Sequence, residues 1–325
     1  MRLLVTGGCG FIGSNFIRHI LKKHEDIHVV NLDKLTYCGN SESLKDVEDD
    51  TRYELVKGDI CDSGVVGSLV RDADVIINFA AESHVDRSIK YPDDFFMTNI
   101  YGVKTLLEAA RREGCDKFIQ IGTDEVYGSV SSGLSKEDDI LRPNSPYSAS
   151  KAAGDLLALS YYTTYGLPVM VTRSSNNFGP YQYPEKMVPL FITNLIQGKK
   201  VPLYGDGGNV RDWLFVEDNC SALDMILMEG TPGEVYNIGG SNQINNLELT
   251  RQLLLVMGKD ESSIEHVNDR PGHDRRYALD SSKVEKVGWA PAEAFPANLE
   301  RTIKWYNENA NWWTPLKAKA KIIEW

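Results

Sequence analysis

The 325-residue sequence holds no apolar run of membrane-spanning length, no C-x-x-C pair, no internal repeat and no low-complexity tract. A helical span needs about 20 consecutive apolar residues, so a membrane is not an expected partner. Five cysteines (Cys9, Cys38, Cys61, Cys115 and Cys220) are odd in number and widely spaced. That argues against a disulfide framework or a zinc site, leaves no metal expected, and makes a reducing cytoplasm the natural home. Most are expected to be small core residues. Positive charge is also scarce: 35 Lys and Arg against 46 Asp and Glu, a net charge of −11. An acidic surface repels phosphate backbones, which argues against nucleic acid as a partner. The opening Met1–Thr6 runs straight into a glycine loop and reads as a first strand, not a signal peptide. What remains is ordinary for a soluble globular chain, 42% hydrophobic and 25% charged, and long enough for one large or two modest domains.

The first half alternates short apolar strands with longer amphipathic stretches. Strands are expected at Leu3–Thr6, His28–Leu32, Tyr53–Lys57, Val75–Phe79, Lys117–Gly122 and Pro168–Thr172. Helices are expected at Phe11–His24, Ser63–Arg71, Asp93–Glu113 and Tyr147–Tyr165. Such alternation implies right-handed βαβ units and a parallel sheet, and near-continuous apolar strands suit a sheet covered on both faces. After Arg173 the texture changes. Residues 174–185, rich in Asn, Pro, Gly and Tyr, read as a loop. The expected division is 1–173 and 174–325. Residues 210–239, with strand-like Trp213–Val216 and Val235–Ile238, are the segment that could return to complete the sheet.

Gly7, Gly10 and Gly13 follow the first strand and open a helix with G-x-x-G-x-x-G spacing. Glycine permits a tight turn and close backbone approach to a pyrophosphate, and the helix N-terminus offers free N–H groups at Gly10, Phe11, Ile12 and Gly13. Asp33 ends the second strand twenty residues after Gly13. A carboxylate there accepts ribose hydroxyls and repels a 2′-phosphate, favouring NAD over NADP, although the adjacent Lys34 works against that. Asp59 and Ile60 follow the third strand, and Phe79, Ala80 and Ala81 the fourth; both groups are placed for the adenine and second ribose. Small residues there serve packing equally well.

Tyr147 and Lys151 lie four apart, hence on one helix face, with Pro146 just before them. Free tyrosine titrates near ~10, so a phenolate base near neutrality requires a drop of roughly 3, about 4 kcal/mol. A neighbouring ammonium and a positive nicotinamide both favour phenolate. Upstream stands Thr123-Asp124-Glu125, with two adjacent carboxylates. Adjacent strand residues point to opposite faces, so both can serve one substrate only if the chain leaves the strand there. Carboxylates at a helix N-terminus for dipole reasons would be the plain alternative.

The glycine loop with Tyr147 and Lys151 resembles the extended short-chain dehydrogenase/reductase superfamily. The Thr-Asp-Glu sequence narrows the resemblance to its dTDP-glucose 4,6-dehydratase family. So do Ala80–Ser88, Asn176–Tyr181, Pro184–Lys186 and Arg211–Trp213. The resemblance implies an α/β fold: a Rossmann-type doubly wound parallel sheet with a smaller α/β C-terminal substrate domain. It implies that NAD oxidises C4 of the sugar, water leaves across C5 and C6, and hydride returns to C6. Glu125 would be the base at C5, Asp124 the acid for the C6 hydroxyl, Tyr147 the base at the C4 hydroxyl, and Thr123 a hydrogen-bond partner of the C4 oxygen. Thr98 and Asn177 join Lys34, Tyr147 and Lys151 at the cofactor.

A nucleotide-sugar substrate brings two phosphate charges, and guanidinium matches phosphate oxygens. Arg211, Arg270 and Arg276 are candidates, with His273 as a further donor, because Arg270–Arg276 is a basic cluster in an acidic chain. The resemblance adds Asn176 and Asn246 near the diphosphate, and Glu185, Lys186, Met187, Leu203 and Tyr204 around the base. Ser83 would touch sugar or cofactor, whereas His84 is as readily a loop-capping residue. The aromatic tail (Trp305, Tyr306, Trp312, Trp313 and Trp325) is expected to pack over the second domain. The family also implies a homodimer built on the 93–113 and 147–165 helices. Rival readings are the same reaction on UDP- or CDP-glucose, a 4-epimerase, which the acidic pair argues against, and a non-catalytic NAD-dependent sensor.

Overall fold

The computed structural model describes residues 1–320. Its elements run β1 (Arg2–Thr6), α1 (Phe11–Lys23), β2 (His28–Asp33), β3 (Tyr53–Lys57), α2 (Ser63–Val70), β4 (Val75–Asn78), α3 (Val85–Lys90), α4 (Asp93–Phe96), α5 (Val103–Glu113), β5 (Lys117–Thr123), α6 (Pro146–Tyr165) and β6 (Val169–Ser174). Then follow β7 (Asn176–Phe178), α7 (Met187–Ile196), β8 (Val201–Tyr204), β9 (Val210–Phe215), α8 (Val216–Glu229), β10 (Val235–Ile238), β11 (Gln243–Asn245), α9 (Asn246–Val256), β12 (Ile264–Val267), α10 (Ser282–Lys286), α11 (Phe295–Glu308) and α12 (Ala310–Lys319).

Seven strands form one sheet in the order β10-β6-β5-β4-β1-β2-β3, every pairing parallel. Alternation along β1 explains its two faces. Leu3 and Val5 point into a core with Phe16, Ile17 and Ile20 of α1 and Leu223 and Ile226 of α8. Leu4 points the other way, into a core with Leu106, Leu107 and Ala110 of α5 and Ala158 of α6. The doubly wound Rossmann-type expectation holds. The order reverses between β1 and β4, and in such sheets the ligand crevice lies beyond the strand C-termini at that switch point.

Several local expectations change. The 174–185 stretch is not all loop: β7 pairs parallel with β9. Trp213–Phe215 belongs to β9 in a separate β11-β9-β7 sheet, whereas Val235–Ile238 joins the large sheet beside β6. The 93–113 stretch is helical throughout but widens to π geometry over Met97–Gly102. Cys9 and Cys220 are core residues; Cys38, Cys61 and Cys115 are only partly covered, and all five thiols are free.

Helix α6 is specified locally at both ends. Ser145 and Ser148 form a reciprocal capping box, Pro146 supplies the first turn, and Gly166 ends the helix in the left-handed region at φ 71°. The remaining C-terminal elements pack around Phe178, Phe191, Trp213, Leu249, Ile303 and Tyr306. Trp313 is in that core, Trp305 and Trp312 pack against it, and Trp325 lies outside the described residues. No helix among the described residues is long and apolar enough to cross a membrane.

Candidate active site

At the switch point the glycine loop turns tightly. Gly7 has φ 69°, and a Cβ there would lie 2.6 Å from the backbone of Ala80. A Cβ at Gly13 would lie 2.6 Å from the Gly7 carbonyl oxygen. Both must be glycine for β1, α1 and the β4 loop to close. Helix α1 follows the N-cap Gly10, whose own N–H, expected to be free, donates to the Gly7 carbonyl at 3.1 Å; with no side-chain cap and no acidic residue in the first turn, the N–H groups of Phe11, Ile12 and Gly13 stay available to an anion. Asp33 accepts from the backbone N–H of Cys9 (2.8 Å) and of Leu35 (2.7 Å), tying the loop to the end of β2. Lys34, which weakened the case for an unphosphorylated ribose, is 2.7 Å from Asp59. Its charge is thereby matched, leaving Asp33 to repel a 2′-phosphate. These features fit a dinucleotide cofactor.

One cleft is lined by Gly7, Gly10, Phe11, Ile12, Gly13, Asp33, Lys34, Asp59, Ile60, Phe79, Ala80, Ala81, Ser83, Thr98 and Asn177. The same cleft is lined by Thr123, Asp124, Glu125, Tyr147, Lys151, Asn176, Glu185 and Lys186. All expected cofactor and catalytic side chains are therefore together. Met187, Leu203, Tyr204, Arg211, Asn246, Arg270, His273 and Arg276 do not line it. Sequence reasoning missed Thr36, Glu82, Ser175 and Gln182, which do. Thr36 follows Asp33 closely and was accessible to motif reasoning; Glu82 and Ser175 lie in segments already quoted.

The geometry of Asp124 and Glu125 answers the strand objection. Thr123 ends β5 and caps a 3-10 turn over Asp124–Tyr127, accepting from the Glu125 N–H at 3.3 Å. Its hydroxyl also donates to Asp124 Oδ1 at 3.3 Å. Leaving the strand here rotates both carboxylates toward one cleft. Asp124 is buried, and its Oδ2 has no hydrogen-bond partner among the described residues. Burial, then the Glu125 charge, push the Asp124 carboxyl well above the ordinary range. Burial also raises Glu125, but Arg270, Lys186 and Arg211 all pull it back. A proton shared by the pair therefore resides on Asp124.

Tyr147 is buried against Phe95 and Val85. The expected drop in its phenol is not present in the bare protein. Burial raises it, Glu125 raises it further, and Thr123 opposes them. Lys151 supplies no direct relief, because its ammonium donates to the Ile121 carbonyl at 2.5 Å and burial lowers its own proton affinity.

The remaining substrate candidates divide. Arg211 is buried and donates to the Asp274 carbonyl at 2.9 Å, while Arg270 pairs with Asp86 at 2.9 Å; both act on Glu125. Lys186 donates to the Ser83 carbonyl at 2.8 Å, and Glu185 is 3.1 Å from Arg87. Asn176 and Asn246 each keep a buried side-chain oxygen without a hydrogen-bond partner among the described residues. The basic cluster does not converge on one anion. Arg275 pairs with Asp206, and Arg276 donates to the Gly133 carbonyl and Gln243. His273 is 2.6 Å from Asp269. Leu203 packs in the C-terminal core, as strand alternation dictates, whereas Tyr204 reaches Asp86 at 3.2 Å. Met187 packs against the same core. His84 makes no capping hydrogen bond; burial and nearby cations push it down to about 2, so it is neutral.

The model of the GDP-mannose 4,6 dehydratase family matches residues 4–302. A dTDP-glucose 4,6-dehydratase of Streptomyces niveus is 50% identical over 323 residues, covering 98% of this chain and 96% of its own. One from Escherichia coli is 46% identical over 346 residues, covering 96% of this chain and 95% of its own. The crystal structure of DesIV, the dTDP-glucose 4,6-dehydratase of Streptomyces venezuelae solved with NAD bound, superposes with a TM-score of 0.95 at 50% identity. That match covers 97% of this chain and 100% of the other. The chain belongs to the GDP-mannose 4,6 dehydratase family and, within it, to the dTDP-glucose 4,6-dehydratases.

Proposed function

We propose that this protein converts dTDP-glucose to dTDP-4-keto-6-deoxyglucose, with NAD as a cofactor regenerated in each cycle. The observation that carries the reading is the acidic pair, Asp124 and Glu125, turned into the same cleft as Tyr147 and the glycine loop. An epimerase needs only the second set. The relatives bearing the dTDP-glucose 4,6-dehydratase name support the choice of substrate.

The chemistry follows from what each side chain can do. Glucose C5–H is not usefully acidic until C4 becomes a ketone. NAD, when bound, supplies the oxidant for C4 and the reductant for C6. Tyr147 removes the C4 hydroxyl proton, and Thr123 orients that oxygen. Glu125, raised by burial but pulled back by the surrounding cations, removes the C5 proton in its ionised form. Asp124, kept protonated by burial and by Glu125, protonates the departing C6 hydroxyl, which leaves as water. Return of hydride to C6 and of a proton to C5 completes the 4-keto-6-deoxy sugar.

Incubation with dTDP-glucose should give a product lighter by one water with no net cofactor reduction, read by mass spectrometry. UDP- and CDP-glucose run alongside should turn over at least about tenfold more slowly, the worth of one good contact. Equal turnover of all three would remove the base preference. Binding of NAD with no turnover of any hexose nucleotide would favour a sensor.

We also propose a homodimer. Phe96, Met97 and Tyr101 on the 93–113 helix, and Leu156, Tyr162 and Tyr165 on α6, are large apolar or aromatic side chains left exposed on neighbouring helices. Such a patch favours an isologous interface. Sedimentation at twice the 36.4 kDa of the chain is expected; a species of single chain mass would contradict it.

A further inference from the structure

Behind the cleft lies a buried charge network that the reaction above does not use. Tyr147, Lys151 and Asp155 recur every four residues on α6, so they share one face. Asp155 is 0% exposed and Lys151 5%. Asp155 Oδ2 accepts from Arg173 Nε at 3.0 Å, and its Oδ1 has no hydrogen-bond partner among the described residues. Arg173 Nη1 donates to the Tyr127 hydroxyl at 2.8 Å and to the Glu137 carbonyl at 3.2 Å. Tyr127 in turn donates to Asn237 Oδ1 at 2.8 Å. Tyr127 is the last residue of the turn that carries Asp124 and Glu125. The space for the carboxylate is made by Gly122, where a Cβ would come within 2.9 Å of Asp155 Oδ2 and 2.6 Å of the Thr172 carbonyl.

We propose that Asp155 is a positioning residue for the reaction. Paired with Arg173, its carboxylate lies one turn along the same helix face from the buried Lys151 ammonium, whose charge it offsets, and, through Tyr127, fixes the Tyr147 helix against the Asp124–Glu125 turn. The inference rests on the activity proposed above and extends it to residues outside the cleft. One network therefore sits under both halves of the chemistry, oxidation at C4 and elimination across C5 and C6.

The charges surrounding the pair bear this out. On α6 itself the titratable neighbours are Tyr147 and Lys151. The Asp124–Tyr127 turn presents Asp124, Glu125 and Tyr127, and β6 presents Arg173. To this pair β5 brings no charged group among the described residues: it presents the Ile121 carbonyl, the Gly122 backbone, the Thr123 hydroxyl and, toward Gly154, the Gln120 amide. On the other side of α6, α3 and α4 bring Val85 and Phe95 to Tyr147, and the π turn brings Asn99 to Ser150. Glu108 of α5 meets Tyr161, two turns further along. Burial pushes Lys151 toward neutrality, and Asp155 is the charge that opposes it. A neutral Lys151 would lose its charge-assisted hydrogen bond to the Ile121 carbonyl, the contact that ties α6 to the end of β5 just ahead of Thr123.

The test compares the NAD-bound wild type, Asp155→Asn, and Asp155→Asn combined with Arg173→Gln. The double variant keeps an amide hydrogen bond and leaves no unpaired guanidinium, which guards against simple misfolding. dTDP-6-deoxyglucose has no C6 hydroxyl to lose, so C4 oxidation alone is read from the cofactor's near-ultraviolet absorbance. In both variants the alkaline limb of the oxidation profile should move to lower pH by about one unit, tenfold in rate at a fixed alkaline pH. The Lys151 Nζ titration, followed by ¹⁵N NMR, should move with it. Limbs that superimpose on wild type in both variants would overturn the proposal. So would a displacement in the single variant that the double variant restores, because that marks a purely structural salt bridge. A wild type that oxidises no sugar would instead overturn the activity itself.

Discussion

Glu125→Gln stops the reaction between oxidation and loss of water. The amide cannot accept the C5 proton, and general-base contributions of this kind are worth about 10²–10⁴ in rate. Overall turnover should fall by about that factor, and exchange of C5–H with deuterated solvent, followed by NMR, should fall with it. Oxidation at C4 should survive. It should even reach its maximum at lower pH, because the Glu125 charge is one of the groups that holds the Tyr147 proton on. Tyr147→Phe should do the reverse, losing oxidation itself by about 10²–10⁴ and therefore every later step. The contrast between the two variants separates the halves of the site. Undiminished C5 exchange in Glu125→Gln would move the base to another residue.

The pH dependence has a defined sign. Elimination needs Glu125 ionised and Asp124 protonated. Burial raises both, but three cations pull Glu125 back, while Glu125 and Asp212 push Asp124 further up. The rate should therefore fall at low pH as Glu125 gains a proton and at high pH as Asp124 loses one.

The legible part of this molecule was what short-range physics controls. The glycine loop, Asp33 and the apolar strands declare the parallel sheet, because close backbone approach and burial on both faces allow few residue types. The i, i+4 spacing of Tyr147 and Lys151 declares a common helix face. The orientation of Asp124 and Glu125 was not legible. It depends on Thr123 closing a 3-10 turn and on Arg173, 46 residues beyond Tyr127, gripping that turn from β6. Nor could residue type foretell partners for the basic cluster. Arg275 and Arg276 carry the same charge as Arg270, yet find Asp206 and Gln243, whereas Arg270 finds Asp86 in the first half of the chain. The Tyr147 phenol, expected to fall but raised by burial, illustrates a different gap. A neighbouring lysine in sequence is not a neighbouring charge if its ammonium is committed to the Ile121 carbonyl. In this site the cation balance is set by Asp155, whose charge the sequence alone leaves indistinguishable from any helix aspartate.

A single cleft first oxidises and then reduces the same sugar, with elimination between. dTDP-glucose carrying deuterium at C4 tests it directly. The product should carry essentially all of that deuterium at C6, measured by NMR, with no net reduction of the cofactor. Deuterium lost to solvent, or reduced cofactor accumulating in proportion to product, would contradict it.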